Sequence, residues 1–203
     1  MGGIGVKPVL AIDFDDVIFP FMDRFVPHYN DTYDANFSMD DYHTFEFHEV
    51  WGGDAALAFD RVATFFHLPH DGVAPIAGSV EGVAHLAQNY KLIIVTARDE
   101  SLRPHTEKWV DELFPGRFQE IFLCNSYLLN ANERRRTKLE VVEEVDAVGL
   151  IDDSLNNTSL VAATGRRAML FGNYAWNRID VLPEGVNRYN DWPHIVESLV
   201  TAA

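Results

Sequence analysis

The chain alternates short, continuous runs of apolar residues with segments whose apolar residues recur at helical spacing. Five apolar runs are predicted strands, at residues 9–12, 92–95, 121–123, 148–151 and 168–171. Helical patterns lie between and after them, at residues 79–90, 101–114, 138–145, 154–163 and 192–200. Continuous apolarity indicates strands that are buried on both faces, as in a parallel sheet. The alternation therefore predicts an α/β fold with a doubly wound, Rossmann-like parallel sheet.

One segment interrupts this alternation. About 60 residues separate the first strand from the helix that begins at Ser79, and they contain no strong strand pattern. Compact domains rarely hold structureless loops of that length. Helical patterns at residues 20–34, 39–43 and 54–66, together with 13 of the chain's 25 aromatic residues in 19–66, indicate a small helical subdomain with its own core. We expect this subdomain at residues 19–76, inserted into a core domain of residues 1–18 and 77–203.

The charge balance limits the partners that such a chain can bind. It contains 16 Lys and Arg against 31 Asp and Glu, a formal net charge of −15. A surface of this sign repels nucleic acid polymers and anionic membranes, and the longest basic run, residues 134–136, is too short to change that. A small anionic substrate is still compatible with this charge if a few local cations hold it.

Two further features bear on the compartment. No stretch approaches the roughly 20 apolar residues of a membrane span, and the first apolar run is too short for a signal peptide. Cys124 is the single cysteine, which excludes an intramolecular disulfide and a cysteine-based zinc site. We expect a cytoplasmic protein that does not bind membranes, and the sequence leaves the oligomeric state open.

Four short motifs stand where a predicted strand ends or a predicted helix begins. They are Asp13 and Asp15 after the first strand, Thr96, Ala97 and Arg98 after the second, Lys138 at a helix start, and Asp152 and Asp153 after the fourth strand. Ligands of open α/β sheets bind at the carboxyl ends of the strands. These eight residues are therefore the candidate site.

The carboxylates in this set favour a metal ion. Asp13, Asp15 and Asp152 would converge if their strands are neighbours, and carboxylates packed so closely raise one another's pKa by repulsion. A divalent cation removes that repulsion, and all-oxygen ligands suit Mg²⁺. The sequence therefore predicts a Mg²⁺ cofactor.

The remaining residues complement a phosphate group, which Mg²⁺ commonly takes as a further ligand. Hydroxyl, backbone and cationic donors for phosphate oxygens would come from Thr96, Ala97, Arg98 and Lys138. Asp13 is placed to attack phosphorus and Asp15 to give a proton to the leaving oxygen, since aspartate is an established covalent nucleophile. This chemistry corresponds to hydrolysis of a small phosphorylated substrate.

Each motif alone has a simpler structural explanation. Asp13-Phe14-Asp15 can form a turn, Thr96 can cap a helix, and Lys138 can be an ordinary solvated helix residue. The four motifs together, in order and at the same sheet edge, favour function. A phosphorylation-receiver-like regulatory domain is an alternative, but there the Lys comes after both acidic groups. A non-catalytic binding protein of the same fold is another.

The combination resembles the haloacid dehalogenase superfamily of phosphatases. The aspartate motif is Asp13-Phe14-Asp15-Asp16-Val17, and the later motifs stand at Thr96, Lys138 and Asp152-Asp153. The resemblance implies strand order 3-2-1-4-5 and a helical cap inserted after the first motif. It also implies that the Asp13 carboxylate, the Asp15 backbone carbonyl and the Asp152 carboxylate hold the metal, with Asp153 as a neighbour that holds metal-bound water or Lys138.

Chain length, cap position, Thr96-Ala97-Arg98 and a late Asp191-Trp192 resemble the 5′(3′)-deoxyribonucleotidase branch of that superfamily. This resemblance implies a (deoxy)nucleoside monophosphate as substrate, with a sugar-phosphate phosphatase as the alternative. Residues 19–76 contain two cations against ten carboxylates, which disfavours a second phosphate there. Aromatic residues of the insertion can stack on a base, and the first choices are Phe19, Phe45 and Trp51.

Overall fold

The computed structural model describes residues 6–125 and 135–200, and its centre is a parallel six-stranded sheet. The strands are β1 Val9–Ile12, β2 Lys91–Thr96, β3 Phe118–Leu123, β4 Gly149–Asp152, β5 Arg167–Phe171 and β6 Val186–Tyr189. They lie in the order β3-β2-β1-β4-β5-β6. The predicted doubly wound α/β fold is confirmed, and its order 3-2-1-4-5 is extended by one edge strand.

Eight helices accompany the sheet in the part of the chain that the structure describes. They are α1 Phe21–Tyr33, α2 Phe47–Trp51, α3 Ala55–Phe66, α4 Ser79–Leu86, α5 Arg103–Leu113, α6 Lys138–Glu144, α7 Leu155–Ala162 and α8 Trp192–Val200. Short 3₁₀ turns span Met39–Asp41, Glu100–Leu102 and Ala175–Asn177. Apolar residues of α4, α5 and α8 pack in one core cluster and those of α6 and α7 in another, so both faces of the sheet are covered.

The sequence pattern missed β6 for a physical reason. Only Val186 of this strand is buried, whereas Asn187, Arg188 and Tyr189 are partly or fully exposed. An edge strand with one buried residue has neither a continuous apolar run nor a clear alternation, and those two signals reveal strands in a sequence. The interior strands β1 and β4 are fully or almost fully buried, and they lie within a residue of their predicted positions.

The predicted helices of the insertion, residues 19–76, correspond to α1, the 3₁₀ turn at Met39–Asp41 and α3, while the short α2 was not predicted. Aromatic rings form the interior of this segment. Trp51 stacks on Tyr29 with ring centroids 4.1 Å apart, and Phe25 stacks on Phe47 at 5.6 Å. These contacts account for much of the aromatic enrichment. The division into a cap and a core domain stays a prediction.

No helix among the described residues is long and apolar enough to cross a membrane.

Helices α4 and α8 approach each other closely at Gly82 and Trp192. Trp192 is fully buried, and its indole N–H donates a hydrogen bond to the Val17 carbonyl oxygen at 2.9 Å. A Cβ atom at residue 82 would lie 2.5 Å from Cε3 of Trp192. Glycine at residue 82 therefore lets the Trp192 indole reach the backbone of Val17, at the end of the first motif.

We predict that Gly82→Ala lowers the free energy of unfolding by about 1–3 kcal/mol, the usual cost of overpacking a core. An ordinary Gly→Ala change inside a helix stabilises by up to about 1 kcal/mol, so the clash with Trp192 decides the sign. Urea denaturation measures the change, and Glu81→Ala on the exposed side of α4 is the control. An unchanged or more stable Gly82→Ala protein would contradict this packing.

Candidate active site

The sheet order brings three of the four motifs together. Asp13 directly follows β1, Thr96 ends β2 and Asp152 ends β4, and β1 lies between the other two strands. The register aligns Ile12 with both Ile94 and Ile151, and the Asp13 N–H donates to the Ile151 carbonyl oxygen at 2.8 Å. The motifs therefore meet at the carboxyl edge in the centre of the sheet, where ligands of such folds bind.

A buried cluster of three carboxylates lies at this edge. Asp13, Asp152 and Asp153 each offer an oxygen atom, and these atoms lie within 4.8 Å of one another. Burial, together with repulsion from Asp152, raises the pKa of Asp13 and of Asp153 well above the usual range. The cluster contains more negative charge than its surroundings compensate, and its donors are all oxygen. Such a set fits a hard divalent cation such as Mg²⁺.

Lys138 supplies the cation within this cluster. Its Nζ lies 2.6 Å from Asp13 Oδ2 and 2.8 Å from Asp152 Oδ2. The Thr137 side chain caps α6 and accepts a hydrogen bond from the Glu140 N–H. This cap fixes the start of the helix, so that Lys138, its first residue, faces β1 and β4. Burial opposes its charged form, but Asp13 and Asp152 outweigh burial and raise the pKa of Lys138. Lys138 therefore carries its charge throughout the neutral pH range.

Asp152 is held by the first residues of α7 and its N-cap as well as by Lys138. Its Oδ1 accepts from the Ser154 N–H at 2.8 Å, and both carboxylate oxygens lie 3.3 Å from the Asn157 amide nitrogen. Asp152 is fully buried. These contacts leave the carboxylate in one orientation, directed at Lys138 and Asp13.

The side chain of Asp15 does not join the acidic cluster, contrary to the expectation that it would converge with Asp13 and Asp152. Its Oδ1 and Oδ2 accept from Arg98 Nη2 at 2.7 Å and from Arg98 Nε at 2.9 Å, a two-point ion pair. Arg98, on the chain that follows β2, is therefore the partner that holds this carboxylate. The Asp15 backbone carbonyl as a metal ligand stays a prediction.

Arg98 is only 3% exposed, and its surroundings differ from those expected of a free phosphate-binding cation. The guanidinium lies over the rings of Phe14, Phe19 and Phe66, with its carbon 4.3 to 5.1 Å from their centroids. Nη1 donates to the Thr106 hydroxyl oxygen at 3.1 Å. The Arg98 charge is therefore neutralised by Asp15 within an aromatic box.

The other predicted phosphate ligands differ in their access to solvent. Thr96 is fully buried, and its hydroxyl oxygen accepts from the Arg98 N–H at 3.3 Å. Ala97, Arg98 and Lys138 line a cavity that adjoins the site. A phosphate group in that cavity would meet these three residues before it met Thr96.

The cavity has a volume of about 710 Å³ and joins the motifs to the insertion. One wall consists of Asp13, Asp15, Asp153 and the residues around Lys138, and the other consists of side chains from α1, α3 and the chain around α2. Five phenylalanines line it, namely Phe21, Phe45, Phe47, Phe59 and Phe66. Arg136 lines it too and pairs with Glu144. Arg134, the first residue of the basic run, lies outside the described residues.

Phe45 is the one of the three aromatic first choices that lines the cavity. Phe19 is buried and stacks on Phe14 at 5.4 Å, beneath Arg98. Trp51 stacks on Tyr29 and donates to the Tyr42 hydroxyl oxygen at 3.0 Å. The expectation that Phe19 and Trp51 face the substrate is wrong because both rings are used in the insertion's own interior and beneath Arg98.

Sequence reasoning missed two groups beside the acidic cluster. The Trp176 indole N–H donates to Asp153 Oδ2 at 2.7 Å, and the Tyr174 hydroxyl donates to the Asp16 backbone oxygen at 3.0 Å. Burial raises the pKa of Asp16, whose carboxylate accepts from the Met22 N–H. Both aromatic residues lie in an irregular segment after β5. Only the density of Tyr174, Trp176 and Asn177 in so short a loop could have drawn attention to it.

Known proteins resemble the chain in sequence and fold. Residues 7–203 match the model of the family described as 5′ nucleotidase, deoxy (Pyrimidine), cytosolic type C protein. No curated protein matches the sequence. Among solved structures, a candidate phosphoglycolate phosphatase from Lactobacillus delbrueckii subsp. bulgaricus superposes with a TM-score of 0.68 at 15% identity, over 96% of this chain and 99% of that one.

Two other structures share this fold at similarly low identity. A candidate HAD-hydrolase, YfnB, from Bacillus subtilis, bound to magnesium, has a TM-score of 0.61 at 16% identity, over 96% and 99% of the two chains. The L-2-haloacid dehalogenase from Xanthobacter autotrophicus has a TM-score of 0.63 at 8% identity, over 98% and 100%. The match over almost the whole length and the motif geometry lead to one conclusion: the chain belongs to the cytosolic type C 5′ nucleotidase family, within the haloacid dehalogenase superfamily, and is a phosphatase-type hydrolase.

Proposed function

We propose that the protein hydrolyses (deoxy)nucleoside monophosphates with Mg²⁺, through a phosphoryl-aspartate intermediate on Asp13. The observation that carries this proposal is the position of Asp13. Its carboxylate lies in the acidic cluster, contacts Lys138 and lines the cavity whose opposite wall is aromatic. The phosphate end and the apolar body of one substrate can therefore occupy adjoining parts of one cavity.

Asp13, Asp152 and Asp153 would hold Mg²⁺, which when bound offsets the charge of these carboxylates and of the substrate phosphate. Lys138 contributes a permanent positive charge at Asp13 Oδ2. It orients the carboxylate and attracts the phosphate oxygens that approach it. Ala97 and Lys138, which line the cavity, are the residues that we assign to phosphate binding, with Thr96 beneath them.

In the first step an Asp13 oxygen attacks phosphorus, and the bond from phosphorus to the leaving oxygen breaks. The leaving oxygen takes a proton from Asp15 and departs as the nucleoside hydroxyl. In the second step water attacks the phosphoryl-aspartate, its proton returns to Asp15, and the bond between phosphorus and Asp13 breaks to release inorganic phosphate. Both steps balance with water as the only co-reactant.

We assign Arg98 to holding Asp15. A guanidinium that binds both oxygens of a carboxylate fixes its plane as well as its position. A protonated carboxyl group offers fewer acceptor sites to that fork, so protonation of Asp15 weakens its contact with Arg98. The substrate's leaving oxygen, entering beside Asp15, is the group that replaces this contact.

We predict that Asp13→Asn lowers kcat by at least ~10⁴, the scale lost when a covalent nucleophile is removed. The amide keeps the shape of the side chain but cannot attack phosphorus. Phosphate release from a nucleoside 5′-monophosphate measures the effect. Asp111→Asn, on the exposed face of α5, is the matched control and should retain full activity. An Asp13→Asn protein within tenfold of the wild type would contradict the assigned nucleophile.

For Asp15→Asn we predict a loss of ~10²–10⁴ in kcat on nucleotides, because proton transfer to the leaving oxygen is removed. The loss should shrink on p-nitrophenyl phosphate, whose leaving group needs no proton. Parallel rates on both substrates, with thermal unfolding to confirm that the Arg98 contact is not needed for folding, provide the measurement. Equal losses on the two substrates would show that Asp15 does not act as the acid.

The cavity predicts a preference for monophosphates that carry a base. Arg24 and Arg61, the cations of the insertion, are not among its described lining residues, whereas Glu46 is. On the wall formed by the insertion, a second phosphate would therefore meet mainly apolar groups and Glu46. We expect nucleoside monophosphates to exceed sugar bisphosphates and nucleoside triphosphates in kcat/KM in a phosphate-release screen with Mg²⁺, and EDTA to abolish the activity.

The matched variants for this preference are Phe45→Ala and Leu57→Ala. Both side chains are a little over two-fifths exposed in the insertion, but only Phe45 lines the cavity. Phe45→Ala should weaken apparent nucleotide binding by about 1–3 kcal/mol, the range for one lost base stack, and should spare acetyl phosphate. Sugar phosphates that outperform every nucleoside monophosphate tenfold would overturn the nucleotidase assignment and leave the phosphatase chemistry standing.

A further inference from the structure

We infer that Trp176 is a positioning residue for the metal site: its indole N–H fixes the Asp153 carboxylate so that the acidic cluster can bind a divalent cation. The inference rests on the proposed function, because it deepens the assignment of Asp153 as a ligand. It concerns a residue outside the four motifs, in the loop between β5 and β6.

The contact between Trp176 and Asp153 is short and sheltered. Indole Nε1 lies 2.7 Å from Asp153 Oδ2, and Asp153 is only 4% exposed. The Trp176 ring stacks face to face on Tyr174, with centroids 4.5 Å apart and planes 12° from parallel. The stacked, half-buried indole directs its N–H towards Asp153.

The chemistry of the donor suits a metal-binding carboxylate. Asp152 and Asp16 repel a charged Asp153, and the indole hydrogen bond holds the Asp153 carboxylate against that repulsion. An indole is a neutral donor that cannot accept a proton. It satisfies one oxygen without adding a positive charge, so the attraction of the cluster for a cation is kept. Hydrogen bonds of this kind to a ligating carboxylate orient it and are worth about 10- to 100-fold in metal affinity.

The loop that carries Trp176 is braced on both sides of the indole. The Asn177 amide donates to the backbone oxygens of Asp153 at 2.8 Å and Phe171 at 3.0 Å, and Arg188 binds the Asn177 side chain at 2.8 Å. Gly172 has a φ of +74°, and a Cβ there would overlap the Tyr174 ring. These contacts hold Tyr174 and Trp176 in place. The Asn177 amide and the Trp176 indole both bind Asp153, the first at its backbone oxygen and the second at its carboxylate.

The same loop also contacts the first motif. The Tyr174 hydroxyl donates to the Asp16 backbone oxygen, at the turn that follows Asp13 and Asp15. One aromatic pair thus bonds to the chain after β1 and to the chain after β4. Two hydrogen bonds from the stacked pair therefore link the chain at Asp16 to the Asp153 carboxylate.

The test compares Trp176→Phe with Trp51→Phe. Both changes remove one indole N–H hydrogen bond from a half-buried ring in an aromatic cluster, but the partner of Trp51 is the Tyr42 hydroxyl oxygen, away from the carboxylates. Calorimetric titration with Mg²⁺ should give a Kd raised about 10- to 100-fold for Trp176→Phe and unchanged for Trp51→Phe. Saturating Mg²⁺ should restore most of the kcat, while KM for the nucleotide at saturating Mg²⁺ stays the same.

A purely structural role would act differently. It would lower the unfolding temperature of Trp176→Phe in EDTA and leave the Mg²⁺ affinity of the folded protein unchanged. A wild-type Kd in the Trp176→Phe protein, or an equal rise in both variants, overturns the inference. If one of these results overturns the Trp176 inference but the wild-type protein hydrolyses nucleotides with Mg²⁺, the proposed function stands. If the wild-type protein binds no Mg²⁺ at all, both fall.

A measurement on the wild-type protein keeps the test valid if Trp176→Phe does not fold. The chain contains 4 tryptophans, so its indole N–H groups give a small set of resonances in a ¹⁵N-labelled sample. Trp51→Phe, Trp109→Phe and Trp192→Phe assign three of them, and the fourth resonance is then that of Trp176. Addition of Mg²⁺ should shift the Trp176 indole resonance and leave that of Trp51 in place. A Trp176 resonance that does not respond to saturating Mg²⁺ overturns the inference.

Discussion

Three buried carboxylates around one buried ammonium are the constraint on which the rest of the site depends. Asp13, Asp152 and Asp153 lie together at the edge of the sheet, and Lys138 contacts two of them within 2.8 Å. Ionised carboxylates are costly to bury unless they are paired. Strands β1 and β4 and helix α6 must therefore keep their register, because a small shift of any of them would separate the ammonium from its partners and leave buried charge unpaired.

Two separate groups of ion pairs balance the buried charges of the site. Lys138 pairs with carboxylates of the acidic cluster, while Asp15 is the carboxylate with which Arg98 pairs, inside a box of phenylalanine rings. A chain of net charge −15 thus directs two buried cations at two aspartates of its first motif, Asp13 and Asp15. The separation matters for the proposed chemistry, in which Asp13 would need a carboxylate oriented towards phosphorus and Asp15 would need one that can exchange its partner for a leaving oxygen.

Much of the fold follows from the sequence because interior strands of a parallel sheet are apolar on both faces. The runs that became β1, β2 and β4 stand out for that reason, and three of the four motifs lie at the ends of those strands. The fourth motif, Lys138, begins helix α6. The edge strand β6 and the direction of the Asp15 side chain could not be derived in the same way. The first has one buried residue, and the second depends on a partner, Arg98, that lies 83 residues further along the chain.

Two of the contacts between the insertion and the site involve a residue that holds a carboxylate. The ring of Phe66, at the end of α3, lies against the guanidinium of Arg98, which binds Asp15. The ring centroid of Phe45 lies 5.9 Å from that of Trp176, which binds Asp153. The same two phenylalanines line the cavity. The apolar wall that would receive a base and the hydrogen bonds that orient two carboxylates therefore share side chains. A displacement of the insertion would alter both together, so the shape of the substrate cavity and the geometry of the reacting groups are not independent properties of this protein.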